Sequence, residues 1–247
     1  MSHGIRVELR KCFDALGKCT VPDVPPDVVH VWIRPLQVPP AVELAHYELL
    51  SPEELQRAAR FRTGNPRTDF ILTRGTLRSL TGSYLGIEPQ RVSFRYSEYG
   101  KPLLDGPFEL GPFDLRFNVS HTDGLALLAF VRTRDIGIDV EKIKAATDAK
   151  QLAERFFSDR ERSFLESLSG EELHAAFFRC WTRKEAYVKA RGEGLSLPLH
   201  QFDVSVAEDE PQALLATRPD PSEADRWVLR DLPTSPGYAA ALAVASS

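Results

Sequence analysis

LRFNVSHTDGLALLAFVRTRDIGIDVE, residues 115–141, carries three strand-like runs in succession: Leu115 to Ser120, Leu125 to Val131 and Ile136 to Glu141. Upstream, another strand signal covers Arg91 to Tyr96, followed by a turn at Glu98 to Gly100. Further upstream, Val28, Val29, Val31 and Ile33 form a run that Pro35 ends, and Pro39 and Pro40 follow. Two helical stretches come next. Ser51, Pro52 and Glu54 write the start of the first: a capping serine, a proline at the first helical position and a glutamate three residues after the cap. Leu55, Ala58, Ala59 and Phe61 give its apolar face, and the second runs from about Thr68 to Leu85. Downstream of the quoted block, one helix spans Ser158 to near Gly170 and another about Glu171 to Arg191, stopped by Gly192. Strands return at Phe202 to Val206, Ala213 to Thr217, Trp227 to Leu232 and Tyr238 to Val244. Helices with antiparallel strands in similar order in both halves predict an α+β fold of two pseudo-symmetric lobes, residues 1–134 and 135–247. Residues 1–27, with three prolines between Val21 and Asp27, read as an irregular extension.

The 247 residues are 43% hydrophobic, enough to bury a core and to exclude a disordered chain. With 31 basic and 35 acidic residues the net charge is −4, so no overall positive field draws a nucleic acid. No apolar run approaches the roughly 18 residues of a membrane span. Cys12, Cys19 and Cys180 form no C-x-x-C pair and read as reduced thiols, Cys180 as a buried one, so a cytoplasmic location is expected.

Five groups of residues carry possible chemistry. On the strand ending Ile138-Asp139-Val140-Glu141, the two carboxylates share one face; they suit a hard divalent cation, although this spacing alone more often marks an exposed acidic strand end. Trp181, Glu185 and Lys189 stand at i, i+4 and i+8 on one helix face, which is also an ordinary surface pair beneath a tryptophan. Glu161 has capping-box spacing from Ser158, a structural role set beside a catalytic one. Arg57, Arg60, Arg62, Arg67, Arg74 and Arg78 offer guanidinium forks for a small phosphorylated ligand, or line solvated helix faces. Tyr99-Gly100-Lys101-Pro102 and Asn118-Val119-Ser120-His121 read singly as a hairpin turn and a polar strand end.

In order, GKP (100–102), FNVSH (117–121), GIDVE (137–141), RFFS-x-x-E (155–161) and W-x-x-KEA-x-x-K-x-x-G-x-GLSLP (181–198) resemble the surfactin-type 4′-phosphopantetheinyl transferases, over about Ser51 to Val204. The resemblance implies two pseudo-symmetric α+β lobes with coenzyme A between them. It implies Mg²⁺ held by Asp139, Glu141 and Glu185, Lys189 neutralising or protonating the leaving phosphate, and a catalytic part for Glu161. Gly100, Lys101 and Pro102 match an adenine-contacting segment, and Ser120 and His121 match residues that bind the 3′-phosphate. Arg57 and Arg74 fall where relatives carry basic residues for the same phosphate. Two features depart from the pattern: Thr122-Asp123 after His121, and the length of the first 27 residues.

The implied reaction is Mg²⁺-dependent transfer of 4′-phosphopantetheine from coenzyme A to a serine of an apo acyl or peptidyl carrier protein, releasing 3′,5′-adenosine bisphosphate. Arg155, Arg160, Arg183 and Phe164 are candidates to receive the carrier, and a monomer is expected. The alternatives are a binding module for coenzyme A or a carrier without turnover, and a Mg²⁺-dependent phosphodiesterase.

Overall fold

Residues 5–11, 21–61, 65–106 and 114–246 are described by the structure, a computed structural model. Eleven strands are β1 (Arg6–Arg10), β2 (Val28–Pro35), β3 (Phe94–Tyr96), β4 (Pro102–Leu104), β5 (Leu115–Thr122), β6 (Leu125–Arg132), β7 (Ile136–Lys142), β8 (Phe202–Val204), β9 (Leu214–Thr217), β10 (Trp227–Asp231) and β11 (Tyr238–Ala245) among the described residues. The helices there are α1 (Pro40–Tyr47), α2 (Pro52–Arg60), α3 (Asn65–Leu85), α4 (Ala149–Phe156), α5 (Asp159–Glu166) and α6 (Gly170–Arg191). Helices and largely antiparallel strands are mixed as the α+β reading expected. Contacts group the chain into two units. One takes in residues up to Tyr96, Pro102–Phe117 and His121–Thr133; the other takes in Ser97–Lys101, Asn118–Ser120 and residues from Arg134 on.

In the first unit a sheet runs in the order β1-β2-β6-β5. Its middle strand β2 is buried from Val28 to Arg34, and α3 is buried continuously from Phe70 to Gly82. One expectation changes here. The supposed irregular extension contains β1, which pairs with β2 in parallel, Arg6 opposite Val28. Its sequence, RVELR, is half-exposed and charged, so its pairing comes from β2 rather than from an apolar signal of its own. Helix α1 was not anticipated; Pro40 opens it, where a missing N–H costs nothing. The capping box at Ser51 is present, with Glu54 N donating to Ser51 Oγ (3.3 Å) and Ser51 N to Glu54 Oε2 (2.9 Å).

His30 sits in the middle of β2 and is 1% exposed. Arg10 Nη2 lies 3.1 Å from its Nε2, and an arginine can only donate, so Nδ1 carries the proton and donates to the Tyr84 hydroxyl at 2.8 Å. Burial first, and the Arg10 charge next, push its pKa from 6.5 down to about 4, against the opposing pull of Glu8 and Asp23. The unfolded chain therefore binds the extra proton between pH 6.5 and about 4, and stability falls as pH falls through that window. The loss reaches up to about 3 kcal/mol, from the shift at about 1.36 kcal/mol per unit. Urea unfolding at pH 7.5 and 4.5 checks this: His30→Gln is expected to lose markedly less than wild type on acidification, and equal losses would exclude the assignment.

The second unit is built on the antiparallel sheet β10-β11-β7, packed against α6. The closeness of that packing comes from small residues. A Cβ at Gly137 would stand 2.0 Å from the Ala186 carbonyl oxygen and 2.3 Å from the Ala190 nitrogen, and Gly137 is opposite Ala243. Only a glycine lets the α6 backbone lie directly on β7 there. Asp139 and Glu141 follow on the same face, opposite Ala241 and Ala239, while Ile138 and Val140 are buried on the other. Below α6, Phe157, Phe177, Tyr187, Phe202 and Leu229 belong to one core. Gly192 ends α6 in the left-handed region (φ 71°), its N–H donating to Val188 O at 3.0 Å, as the sequence led us to expect. Helix α4 was not anticipated; Asp148 caps it, accepting from Gln151 N at 3.1 Å. Cys180 is fully buried, which pushes its thiol pKa up, consistent with a structural thiol; Cys12 and Cys19 lie outside the described residues.

Candidate active site

Between Trp181 and Ala190 on α6, only Trp181, Glu185 and Lys189 keep partial exposure; the residues between them are buried. The i, i+4, i+8 stripe is thus the outer face of a helix whose other faces are packed, and it meets the acidic face of β7. Lys189 Nζ lies 2.5 Å from Asp139 Oδ1 and 3.1 Å from Ser120 Oγ. The Ser120 hydroxyl donates to the same Asp139 oxygen at 2.8 Å and accepts from Val140 N at 3.3 Å. Asp139 is 3% exposed, so its charge is compensated within the protein rather than by water. Burial, then the like charges of Asp139 and Glu141, push the Glu185 carboxyl above the usual carboxylate range, while Lys189 opposes this.

Asp139, Glu141 and Glu185 are electrostatic neighbours, but among the described residues no three His, Cys, Asp or Glu side chains stand in a metal-holding arrangement. The Lys189 ammonium sits directly on Asp139. Whether the residues fit a divalent cation can still be read from two features. The buried Asp139 Oδ2 has no hydrogen-bond partner. The like charges of Asp139 and Glu141 already bear on the Glu185 carboxyl. Carboxylate oxygens gathered in this way fit a hard divalent cation.

The Lys101 ammonium is held by three backbone carbonyls. Its Nζ donates to Ile136 O (3.0 Å), Lys189 O (2.7 Å) and Ala190 O (3.3 Å), at the C-terminal end of α6. Gly100 occupies a turn with φ 79°, where an added Cβ would meet no described residue within 4 Å, its N–H donating to Ser97 O, and Pro102 opens β4 opposite Tyr96. His121 is exposed.

In the first unit, the basic helix faces are more self-contained than the sequence implied. Glu54, three residues upstream of Arg57, pairs with Arg74 Nε (3.2 Å) and Arg78 Nε (2.5 Å). Arg78 also donates to the Pro89 and Val92 carbonyls, and Arg67 pairs with Glu43. Arg78 and Arg67 thus have structural duties, and Arg62 lies outside the described residues. Arg57 is exposed, its guanidinium over the Phe70 ring. Arg74 is buried, bound by Tyr96 as well as Glu54, yet its Nη1 has no hydrogen-bond partner and feels the charge of Arg57.

Two of the expected residues are held in the framework. Glu161 is fully buried: Oε2 accepts from Ser158 N (3.0 Å) and pairs with Lys184 Nζ (2.8 Å), and Oε1 accepts from Val204 N (2.8 Å). Both its oxygens are taken by the framework, and the capping-box geometry is present. Arg183, a carrier-docking candidate, is 1% exposed, bonded at two points to Asp231 (2.7 and 2.6 Å) and to Ser205. Arg155 and Arg160 are exposed, and Phe164 packs partly into the core. Lys184 and Asn118, which accepts at Oδ1 from Ile138 N (2.8 Å), were not singled out from the sequence.

Comparison with known proteins gives two family matches. Residues 135–243 match the 4′-phosphopantetheinyl transferase superfamily, and residues 39–132 match the family described as 4′-phosphopantetheinyl transferase, N-terminal. Among similar proteins, the 4′-phosphopantetheinyl transferase HetI of Nostoc sp. strain PCC 7120 is 43% identical over 220 residues, covering 89% of this chain and 88% of that protein. The 4′-phosphopantetheinyl transferase Sfp of Bacillus subtilis strain 168 is 34% identical over 161 residues, 65% of this chain and 68% of that protein.

Proposed function

The chain belongs to the 4′-phosphopantetheinyl transferase family, and we propose that it moves the 4′-phosphopantetheine group of coenzyme A onto a serine of an apo acyl or peptidyl carrier protein. The observation that carries this reading is the Lys189 ammonium 2.5 Å from the buried Asp139 carboxylate, beside Glu185 and Glu141. The reaction breaks the bond between the β-phosphorus of coenzyme A and its bridging oxygen and forms one to the serine oxygen, releasing 3′,5′-adenosine bisphosphate. Such chemistry depends on positioning and on neutralising charge.

Asp139, Glu141 and Glu185 are the residues that would hold Mg²⁺, and the ion when bound supplies charge neutralisation for the phosphate oxygens. Lys189 is 30% exposed at its side chain, so its ammonium can serve both Asp139 and the departing bridging oxygen, where it holds a proton for the leaving group. Ser120 keeps Asp139 Oδ1 oriented toward that ammonium. For the 3′-phosphate, exposed Arg57 and the Nη1 of Arg74 offer donors, with His121 as a further candidate. The Gly100–Pro102 turn keeps open backbone for the base, and exposed Arg155 and Arg160 suit a carrier surface. No described helix is long and apolar enough to cross a membrane.

Incubation with coenzyme A, Mg²⁺ and a panel of apo carriers, followed by intact-protein mass spectrometry, tests the proposal. A carrier bearing phosphopantetheine is the expected outcome. Coenzyme A cleaved with no carrier labelled would make the protein a phosphodiesterase, and binding without turnover would make it a binding module.

A further inference from the structure

Strand β7 lies at the edge of its sheet, with only β11 beside it. Backbone groups on the opposite edge of a strand otherwise need water or another strand. Here side chains meet them at alternate residues. Lys101 Nζ donates to Ile136 O at 3.0 Å, Ile138 N donates to Asn118 Oδ1 at 2.8 Å, and Val140 N donates to Ser120 Oγ at 3.3 Å. Residues 136, 138 and 140 present their N–H and C=O to the same edge, so these contacts form one ladder. It explains why the short segments Ser97–Lys101 and Asn118–Ser120 group with the second unit.

The same side chains also reach the reacting groups. Lys101 binds the Lys189 and Ala190 carbonyls at 2.7 and 3.3 Å with the ammonium that binds Ile136 O, tying the last turn of α6 to the start of β7. Gly137 removes the side chain that would hold these two elements apart. Asn118 fixes the Gly137–Ile138 peptide, one residue short of Asp139, and it is 4% exposed.

Resting on the transferase reading above, we infer that Lys101 and Asn118 are positioning residues for the transfer: they register β7 against α6 so that Lys189 Nζ and Asp139 Oδ1 meet. In this role Lys101 acts through its carbonyl partners rather than by holding coenzyme A. A displacement of about 1 Å at a reacting group costs on the order of 10²-fold in rate. Lys101→Met and Asn118→Leu are therefore expected to lower kcat by about 10-fold or more per folded molecule, leaving KM for coenzyme A within about twofold. Lys101→Arg, which keeps carbonyl donors, should recover part of the loss.

The assay is initial-rate transfer to an apo carrier, with the folded fraction taken from circular dichroism; Lys101→Gln is carried alongside in case Lys101→Met does not fold. A rise in KM for coenzyme A with kcat unchanged would return Lys101 to ligand binding and overturn the inference. Wild-type kinetics in both variants would overturn it as well. A wild-type protein inactive on every carrier is a different result: it removes the transferase reading, and the positioning role falls with it.

Discussion

Asp139→Asn is expected to lower the rate of phosphopantetheine transfer by about 10³-fold while leaving the protein folded. The substitution keeps the side-chain shape and an acceptor oxygen for Ser120 and Lys189, so the hydrogen bonds at 2.8 and 2.5 Å have a partner in the variant. What it removes is charge. Taking away one preorganised electrostatic group at the site of developing charge costs roughly 10²–10³ in rate. The same carboxylate also belongs to the oxygen set that would hold the divalent cation and orients the Lys189 ammonium, which puts its loss at the upper end. The fold should tolerate the change, because Lys189 is partly solvated and Glu185 is relieved of a like charge. The Glu185 carboxyl then moves back down toward its ordinary range. Transfer rates at saturating coenzyme A and carrier, with urea unfolding of the same preparation, check both halves. Full activity in Asp139→Asn, or in Glu185→Gln beside it, would remove the charge cluster from the mechanism.

How much of this was legible in the chain depended on whether a residue announces its partner. The shared face of Asp139 and Glu141 follows from the period of a strand, and the stripe Trp181, Glu185, Lys189 from the period of a helix. Those periods survive folding, and so did the residues read from them. Burial, by contrast, is set by neighbours distant in sequence. Glu54 lies next to the arginine run in the chain, yet its pairing with Arg74 and Arg78 needs α2 to lie along α3. Arg183 looks like a surface cation until Asp231, 48 residues later, supplies a carboxylate for its planar fork. Strand β1 has no apolar pattern strong enough to declare itself and depends on β2 for its pairing. The glycine of GIDVE, by contrast, offered a signal that went unread: a glycine inside an apolar strand marks a close backbone approach, and here that approach is α6.

Removing one partner of the Lys184–Glu161 pair is expected to destabilise the protein by about 3–5 kcal/mol, a large fraction of the roughly 5–15 kcal/mol that holds a domain together. Both side chains are fully buried, and their hydrogen bonds are complete. The Lys184 ammonium donates to Glu161 Oε2 (2.8 Å), Leu199 O (2.7 Å) and Phe202 O (2.7 Å), with the Phe202 ring 4.2 Å from its nitrogen. Lys184→Met therefore leaves a carboxylate with no cation and no water, whereas Glu161→Gln leaves an ammonium still held by two carbonyls and is expected at the lower end of the range. Combining Lys184→Met with Glu161→Leu removes both charges together. It should cost less than the sum of the two single changes, but not nothing, because Ser158 N and Val204 N lose their acceptor. Urea unfolding of the single and double variants measures that difference. The same series decides what Glu161 does: a framework residue predicts that Glu161→Gln, assayed cold where it is folded, retains transfer within a few-fold. Wild-type stability combined with a 100-fold loss of rate would instead place Glu161 in the chemistry and refute the buried-clamp assignment.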